Sequence, residues 1–253
     1  MKDNLKISII TSVYNNKETI AEAIESVLSQ TYDNIEYIVV DGASTDGTVE
    51  VINAYADKVT TFVSEPDRGI YDGLNKGIRL ATGDVVGFLH SDDLFQDNEV
   101  VSKIAQAFKA HNVDSIYGDL TYVRKTDTTK IVRYWESGLF ELKKLSYGWM
   151  PPHPTFYVKR EIYTQHGTFD TSFKIAADYD AMLRFLGREK ITTHYIPEIF
   201  VKMRVGGESN KSLKNLLKKS QEDLRALRNN NVGHLYTLLF KNLSKVPQFF
   251  KLN

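Results

Sequence analysis

The sequence has 253 residues, 42 % hydrophobic and 25 % charged, the composition of a folded, water-soluble domain and not of a disordered chain. It holds no cysteine, which excludes disulfide scaffolds, zinc fingers and thiol catalysis and fits a reducing compartment. Basic and acidic residues number 32 each, but from Lys202 onward eleven Lys and Arg stand against three Asp and Glu, a tail of +8 against −8 in residues 1–201.

The chain opens directly into an apolar strand pattern at residues 6–10, without the apolar core and cleavage site of a signal peptide. No stretch approaches the ~20 consecutive apolar residues of a spanning helix, so the expected location is the cytoplasm. Residues 7–12 read as a buried parallel strand. Residues 19–30 place Ile20, Ala23, Ile24, Val27 and Leu28 on one helical face. A second strand, 36–40, ends in Asp41-Gly42, and 46–54 starts with capping residues and continues as helix. Strand 60–63, helix 70–80, strand 84–89, helix 100–110 and a strand starting at 114–117 follow. Beyond residue 118 the alternation weakens. A hairpin is expected over 121–135, a Pro-rich loop over 149–154, a short strand over 155–158, a helix over 177–186 and a strand over 192–205 around Pro197. Amphipathic helices at 212–229 and 234–250 close the sequence.

Strands separated by helices imply right-handed crossovers and a mostly parallel sheet. Such sheets bind ligands beyond the carboxyl ends of their strands. The polar residues just past those ends are 11–16, 41–46, 65–68 and 90–93, so four acid- or amide-rich exits should converge on one crevice. Ser91-Asp92-Asp93 suits a hard cation that takes few protein carboxylates and completes its shell with water and phosphate oxygens. A helix N-cap would ask for the same residues. Asp41 lies several residues ahead of any helix, so it is badly placed to cap and well placed to accept a hydrogen bond from a base or ribose.

Arg68 suits a diphosphate or a carboxylate, and Asp72 could reach the crevice. Gly69, Gly73 and Gly77 line one helical face and read as close packing of helix on sheet. Neither the dinucleotide GxGxxG fingerprint nor a GxxxxGK[ST] phosphate loop is present. In Ala177-Asp178-Tyr179-Asp180, a carboxylate at a helix start either complements the dipole or serves as a general base. His153, between Pro152 and Pro154, is held in a stiff loop, as a structural side chain or a ligand. Lys202, Arg204 and Gly206-Gly207-Glu208-Ser209 form a polar segment whose cations suit a diphosphate, or a plain connector.

Taken in order, ISIITSVYN, YIVVDGASTDGT, SEPDRGIYDGLNKGI and TGDVVGFLHSDD, then more weakly PPHPTFYVKR, AADYDAMLRF and KMRVGGES, resemble the family 2 glycosyltransferases of the GT-A fold, of the type that builds bacterial polysaccharides. The resemblance implies an α/β fold with a Rossmann-like, mostly parallel central sheet flanked by helices. Residues 1–210 would be the catalytic domain, with 1–118 binding the nucleotide-sugar and 119–210 on the acceptor side, and 211–253 a basic helical extension. It implies that Thr11, Tyr14 and Asn15 cradle the nucleotide, that Asp41 reads its base, usually uracil, and that Arg68 and Asp72 lie beside the donor. Asp92 and Asp93 match the metal-binding DXD segment, with Asp93 as the direct ligand of Mn²⁺ or Mg²⁺. Asp178 matches the family's catalytic base, with Asp180 a rival, and Lys202 and Arg204 fall where a C-terminal loop meets the diphosphate. Two departures stand out: Ser91 replaces the first DXD carboxylate, and Ala177 the Glu of a Glu-Asp pair.

The implied activity is inverting, metal-assisted transfer of a hexosyl or N-acetylhexosaminyl group from a UDP-linked donor to a saccharide or lipid-linked saccharide. Nucleotidyl transfer competes as an enzyme reading, but residues 11–17 lack the glycine its first loop needs. A non-catalytic nucleotide-sugar-binding module is a third reading. No basic-aromatic face stands out apart from the tail, so nucleic acid is not an expected partner. The segment 235–250 suits the interface of an anionic membrane, which would place the protein at the inner face of the plasma membrane. Packing on the domain, or on a second subunit in a homodimer, would bury the same face.

Overall fold

The structure, a computed structural model, describes residues 4–206, 213–233 and 235–243. The first half runs β1 (Ile7–Val13), α1 (Ile20–Leu28), β2 (Ile35–Asp41), α2 (Thr48–Asn53), β3 (Thr61–Ser64), α3 (Ile70–Leu80), β4 (Val85–Phe88), β5 (Leu94–Phe95) and α4 (Val100–Ala110). The second half runs β6 (Ser115–Val123), β7 (Ile131–Trp135), α5 (Leu142–Leu145), β8 (Tyr157–Lys159), α6 (Arg160–His166), α7 (Ala177–Met182), β9 (Thr193–Arg204), α8 (Leu213–Asn229) and α9 (Leu235–Leu243). Among the described residues one sheet has the order β3-β2-β1-β4-β8-β6-β9-β5, with β7 paired to β6.

β1 shows why the strands of the first half are continuously apolar. Ile7, Ile9 and Val13 enter the core on one face, with α1 and α4, and Ile10 enters the core on the other, with α3 and α7. A sheet covered on both faces has no polar side. The parallel pairing expected here is present, β2 lying between β1 and β3 and β1 between β2 and β4. α3 lies close on this sheet because it is short of side chains. A Cβ on Gly77 would stand 2.3 Å from Ile10 Cγ2, and one on Gly73 2.3 Å from Ser12 Oγ.

Beyond β4 the sheet changes character. β8 runs antiparallel to both β4 and β6, and the expected hairpin is formed by β6 and β7. β9 returns parallel to β6, but Tyr117 faces Tyr195 while Asp119 faces Ile199, so residues 196–198 bulge. Pro197 sits in that bulge, where its missing N–H breaks no ladder bond. The elements not foreseen, β5, α5 and α6, are two to seven residues long, too short for periodicity to declare them. β5 matters, because it pairs Leu94 with Lys202 and Phe95 with Val201 and so carries the end of β9 to the exit of β4.

α8 sends Ala226 and Leu227 into the core beside α7. α9 turns Thr237 and Lys241 inward and leaves Leu235, Tyr236, Leu239 and Phe240 exposed. The Lys241 ammonium lies 2.9 Å from Asp223 and 3.1 Å above the Tyr179 ring centroid. Residues 207–212, with Glu208 and Ser209, and residues 244–253, with Pro247 and Phe250, lie outside the described residues. Among the described residues no helix is long and apolar enough to cross a membrane.

Candidate active site

The strand exits are stitched together by the amide pair after β1. Asn15, with a left-handed φ of 48°, donates its N–H to Ser44 Oγ at 2.7 Å and accepts the Thr45 N–H at 2.8 Å. Asn16 donates Nδ2–H to Ser91 Oγ at 2.9 Å. The exits of β1, β2 and β4 are thereby locked side by side. This changes the expected nucleotide cradle. Thr11 is fully buried and donates to Leu89 O at 2.8 Å, inside the sheet and away from any ligand. Asn15, itself exposed, turns its Oδ1 to the loop after β2. Tyr14, 62 % exposed, presents its side chain to solvent.

Asp41 ends β2 fully buried. Its Oδ2 accepts Ser44 N–H at 3.0 Å and Ser64 Oγ–H at 2.7 Å, while Oδ1 is buried without a partner. An orphaned carboxylate oxygen of this kind costs about 1–3 kcal/mol and fits an N–H or O–H brought by a ligand. Asp67, not foreseen as a site residue, fills the slot beside it: a Cβ on Gly42 would stand 2.7 Å from Asp67 Oδ2. Its neighbour Arg68 is exposed and reaches Asp72, Nε to Oδ2 at 3.4 Å. The two residues expected beside the donor are thus each other's partners across the first turn of α3.

The acidic pair after β4 divides its roles. Asp93 is fully buried, its Oδ1 accepting the Arg204 backbone N–H at 3.1 Å and its Oδ2 without a partner. Burial, then the neighbouring charge of Asp92, push its carboxyl well above the usual range. Asp92 is partly exposed, and no described residue donates to its carboxylate. Asp93, expected as the direct metal ligand, is sealed against β9, whereas Asp92 keeps its side chain partly open to the crevice. Among the described residues no three His, Asp or Glu side chains form a metal cluster, so a cation here would complete its shell from phosphate and water.

Arg204, expected at the diphosphate, has a guanidinium only 3 % exposed: Nη1 donates to Asp92 O at 2.6 Å, Nη2 to Glu22 at 2.6 Å and Nε to Lys125 O at 3.2 Å. It clamps the Asp92 backbone to α1. Lys202 donates to Gln96 O at 3.1 Å and stays half-buried.

Across the crevice, Asp178 stands in the first turn of α7, partly exposed, with Oδ1 3.0 Å from the Tyr71 hydroxyl. Burial, then the Asp178 charge, push the Tyr71 phenol well above its ordinary value, so it remains a donor. The rival carboxylate is held elsewhere by packing. Asp180 is buried, paired with Arg184 at 3.0 Å and accepting Asn230 Nδ2–H at 2.9 Å. His90 and His153 line the floor, ring centroids 5.7 Å apart. Burial lowers both imidazoles, His153 to about 4, so neither is charged near neutral pH. Ring contacts run from His90 through His153 and Phe169 to Tyr71, which bonds Asp178; the β4 exit and the start of α7 thus share one space.

Tyr71, Asp67 and Glu22 carry no sequence signal that separates them from surface residues, and the pair Glu222-Asp223, the acids of a basic helix, is the one that could have been noticed. Relatives are clear at both levels. A PGL/p-HBAD biosynthesis glycosyltransferase of Mycobacterium bovis is 28 % identical over 208 residues, 80 % of this chain and 78 % of that one. An uncharacterized glycosyltransferase of Rickettsia typhi is 32 % identical over 210 residues, 79 % of this chain and 64 % of that one. The crystal structure of S. aureus TarS 1–349 with UDP-GlcNAc superposes with a TM-score of 0.71 at 18 % identity, over 95 % of this chain and 73 % of that one. The mannosyltransferase PcManGT of Pyrobaculum calidifontis, with GDP-Man and Mn²⁺, gives 0.69 at 18 %, over 98 % and 73 %. Both likenesses are of the GT-A fold. Residues 8–177 match Glycosyl transferase family 2, and the chain belongs to that family.

Proposed function

We propose that this glycosyltransferase moves a hexosyl or N-acetylhexosaminyl group, with inversion, from a nucleotide-sugar to a hydroxyl of a saccharide or lipid-linked saccharide in surface-glycan biosynthesis. The observation that carries the reading is the pair of partly exposed carboxylates, Asp92 at the exit of β4 and Asp178 at the start of α7, linked across the crevice by the ring contacts of His90, His153, Phe169 and Tyr71. Asp41 Oδ1, buried and unpartnered, accepts an N–H of the base; a UDP-linked donor supplies one at uracil N3. Tyr14, exposed at the rim, packs on the nucleotide. Asp92 would hold Mn²⁺ or Mg²⁺, which supplies Lewis-acid neutralisation of the leaving diphosphate. Asp178 takes the proton of the acceptor hydroxyl and Tyr71 orients its carboxylate. TarS and PcManGT, solved with UDP-GlcNAc and with GDP-Man and Mn²⁺, support both the donor class and the cation.

A lipid-linked acceptor accords with α9, whose exposed Leu235, Tyr236, Leu239 and Phe240 face outward beside a basic tail. Flotation on anionic liposomes, lost in Leu239→Asp/Phe240→Asp, tests this without cutting the chain and freeing Asp223. For the reaction itself, nucleotide-sugars are screened with Mn²⁺ and Mg²⁺ by thermal shift and by transfer. One nucleoside-diphosphate sugar should raise the melting temperature with cation and not without. Absence of any shift with every nucleotide and both cations sinks the donor reading.

A further inference from the structure

α8 begins well past residue 177, where the family match ends, yet it grips the segment that carries Asp178. Glu222, 8 % exposed, reaches from α8 to three consecutive amides. Its Oε1 accepts Lys174 N–H at 3.0 Å, and its Oε2 accepts Ile175 N–H at 2.8 Å and Ala176 N–H at 3.0 Å. α7 has Ala176 as its N-cap, with no side-chain cap bond. Glu222 takes the Ala176 N–H at the helix start and the two amides of the loop leading into it, and charge-assisted bonds of this kind are the strong ones. The same segment is held from its other side by α3. The Tyr71 hydroxyl lies 2.7 Å from Ile175 O and 3.0 Å from Asp178 Oδ1, sharing its one proton between them. The backbone two residues before Asp178 is thus fixed by a carboxylate on one side and a phenol on the other.

We infer that Glu222 is a positioning residue for acceptor activation, holding the Asp178 carboxylate in place through the amides of residues 174–176. This rests on the reading of Asp178 as the base. Glu222 touches no substrate and acts on the transition state alone, since donor contacts come from the exits of β1, β2 and β4. Displacing a catalytic group by about 1 Å costs on the order of 10²-fold in rate.

The test is a double-mutant cycle on the full chain. Glu222→Gln keeps the shape but removes the charge and, in place of Oε1, sets an N–H donor against the Lys174 N–H. It should lower kcat for transfer by about 10²-fold while the donor KM and nucleotide affinity stay at wild-type values, measured below its melting temperature. In the Asp178→Asn background the same change should cost nothing further, because there is no base left to misplace. An equal loss in both backgrounds, or an unchanged kcat in Glu222→Gln, overturns the inference. If Glu222→Gln does not fold, Glu222→Asp, which withdraws the charge by one methylene, gives the same readout. Asp178→Asn turning over normally would instead overturn the base assignment, a distinct failure.

Discussion

The two sides of the crevice are built by different means. On the donor side, functional groups sit at the ends of parallel strands β1, β2 and β4, whose register places their exits in a row. On the acceptor side, Asp178 sits on a six-residue helix with an alanine cap and owes its place to α3 and α8, from more than a hundred residues upstream and some forty downstream. Strand-exit sites are secured by the sheet itself and tolerate loss of a single side chain. A helix-borne site secured by a few side chains is vulnerable at each of them.

Asp178→Asn should produce the largest effect, a loss of about 10²–10⁴ in kcat with nucleotide affinity retained, since a positioned general base contributes that much. Single-turnover transfer at saturating donor measures it, and normal turnover would remove the acceptor side from the chemistry. Asp180→Ala tests the scaffold beneath. It strands the Arg184 guanidinium, 12 % exposed, and should destabilise by about 3 kcal/mol in urea unfolding. A wild-type midpoint would mean that the second half does not depend on its buried pairs.

On the donor side, Asp92→Asn and Asp93→Asn separate the acidic pair. The first should abolish the cation-dependent part of the thermal shift and cost about 10²-fold in rate, the order of removing one charge-stabilising group. The second replaces a carboxyl sealed against β9, out of reach of solvent, and should cost less. The reverse ranking would restore Asp93 as the ligand.

The smallest effect expected is on the sheet's far end. Burial works to raise the Glu36 carboxyl, but hydrogen bonds from Lys6, Ser8 and Thr82 outweigh it and hold the group at about 2. Its folded value is depressed, so the stabilisation is complete above the ordinary carboxylate range and is lost as pH falls through about 2. Glu36→Gln should therefore lower stability by about 2 kcal/mol at neutral pH and flatten the acid limb of the stability profile. An unchanged limb shows that the donor half draws nothing from this network.

Much of the donor half was legible in the chain. Continuous apolar runs such as residues 37–40 declare buried parallel strands, and the polar residues after them declare the crevice, because both follow from local pattern and from one rule of sheet topology. Two glycines of the α3 stripe, Gly73 and Gly77, were legible as packing for the same reason, whereas Gly69 has open space beside it and a φ of +115°. The sequence by itself also determined the family, through motifs in a set order. Tertiary structure alone decided which member of each acidic pair is buried. Asp92 and Asp93 are adjacent and chemically identical, and only the pairing of β5 with β9 buries one of them. Asp178 and Asp180 are separated only because Arg184 and Asn230 claim the latter. Arg204 reads as a free cation in the chain, yet a carboxylate 182 residues away consumes it. Local pattern encodes which elements form and where their ends point. Burial and partnership of a charge depend on groups that meet only when the chain has folded.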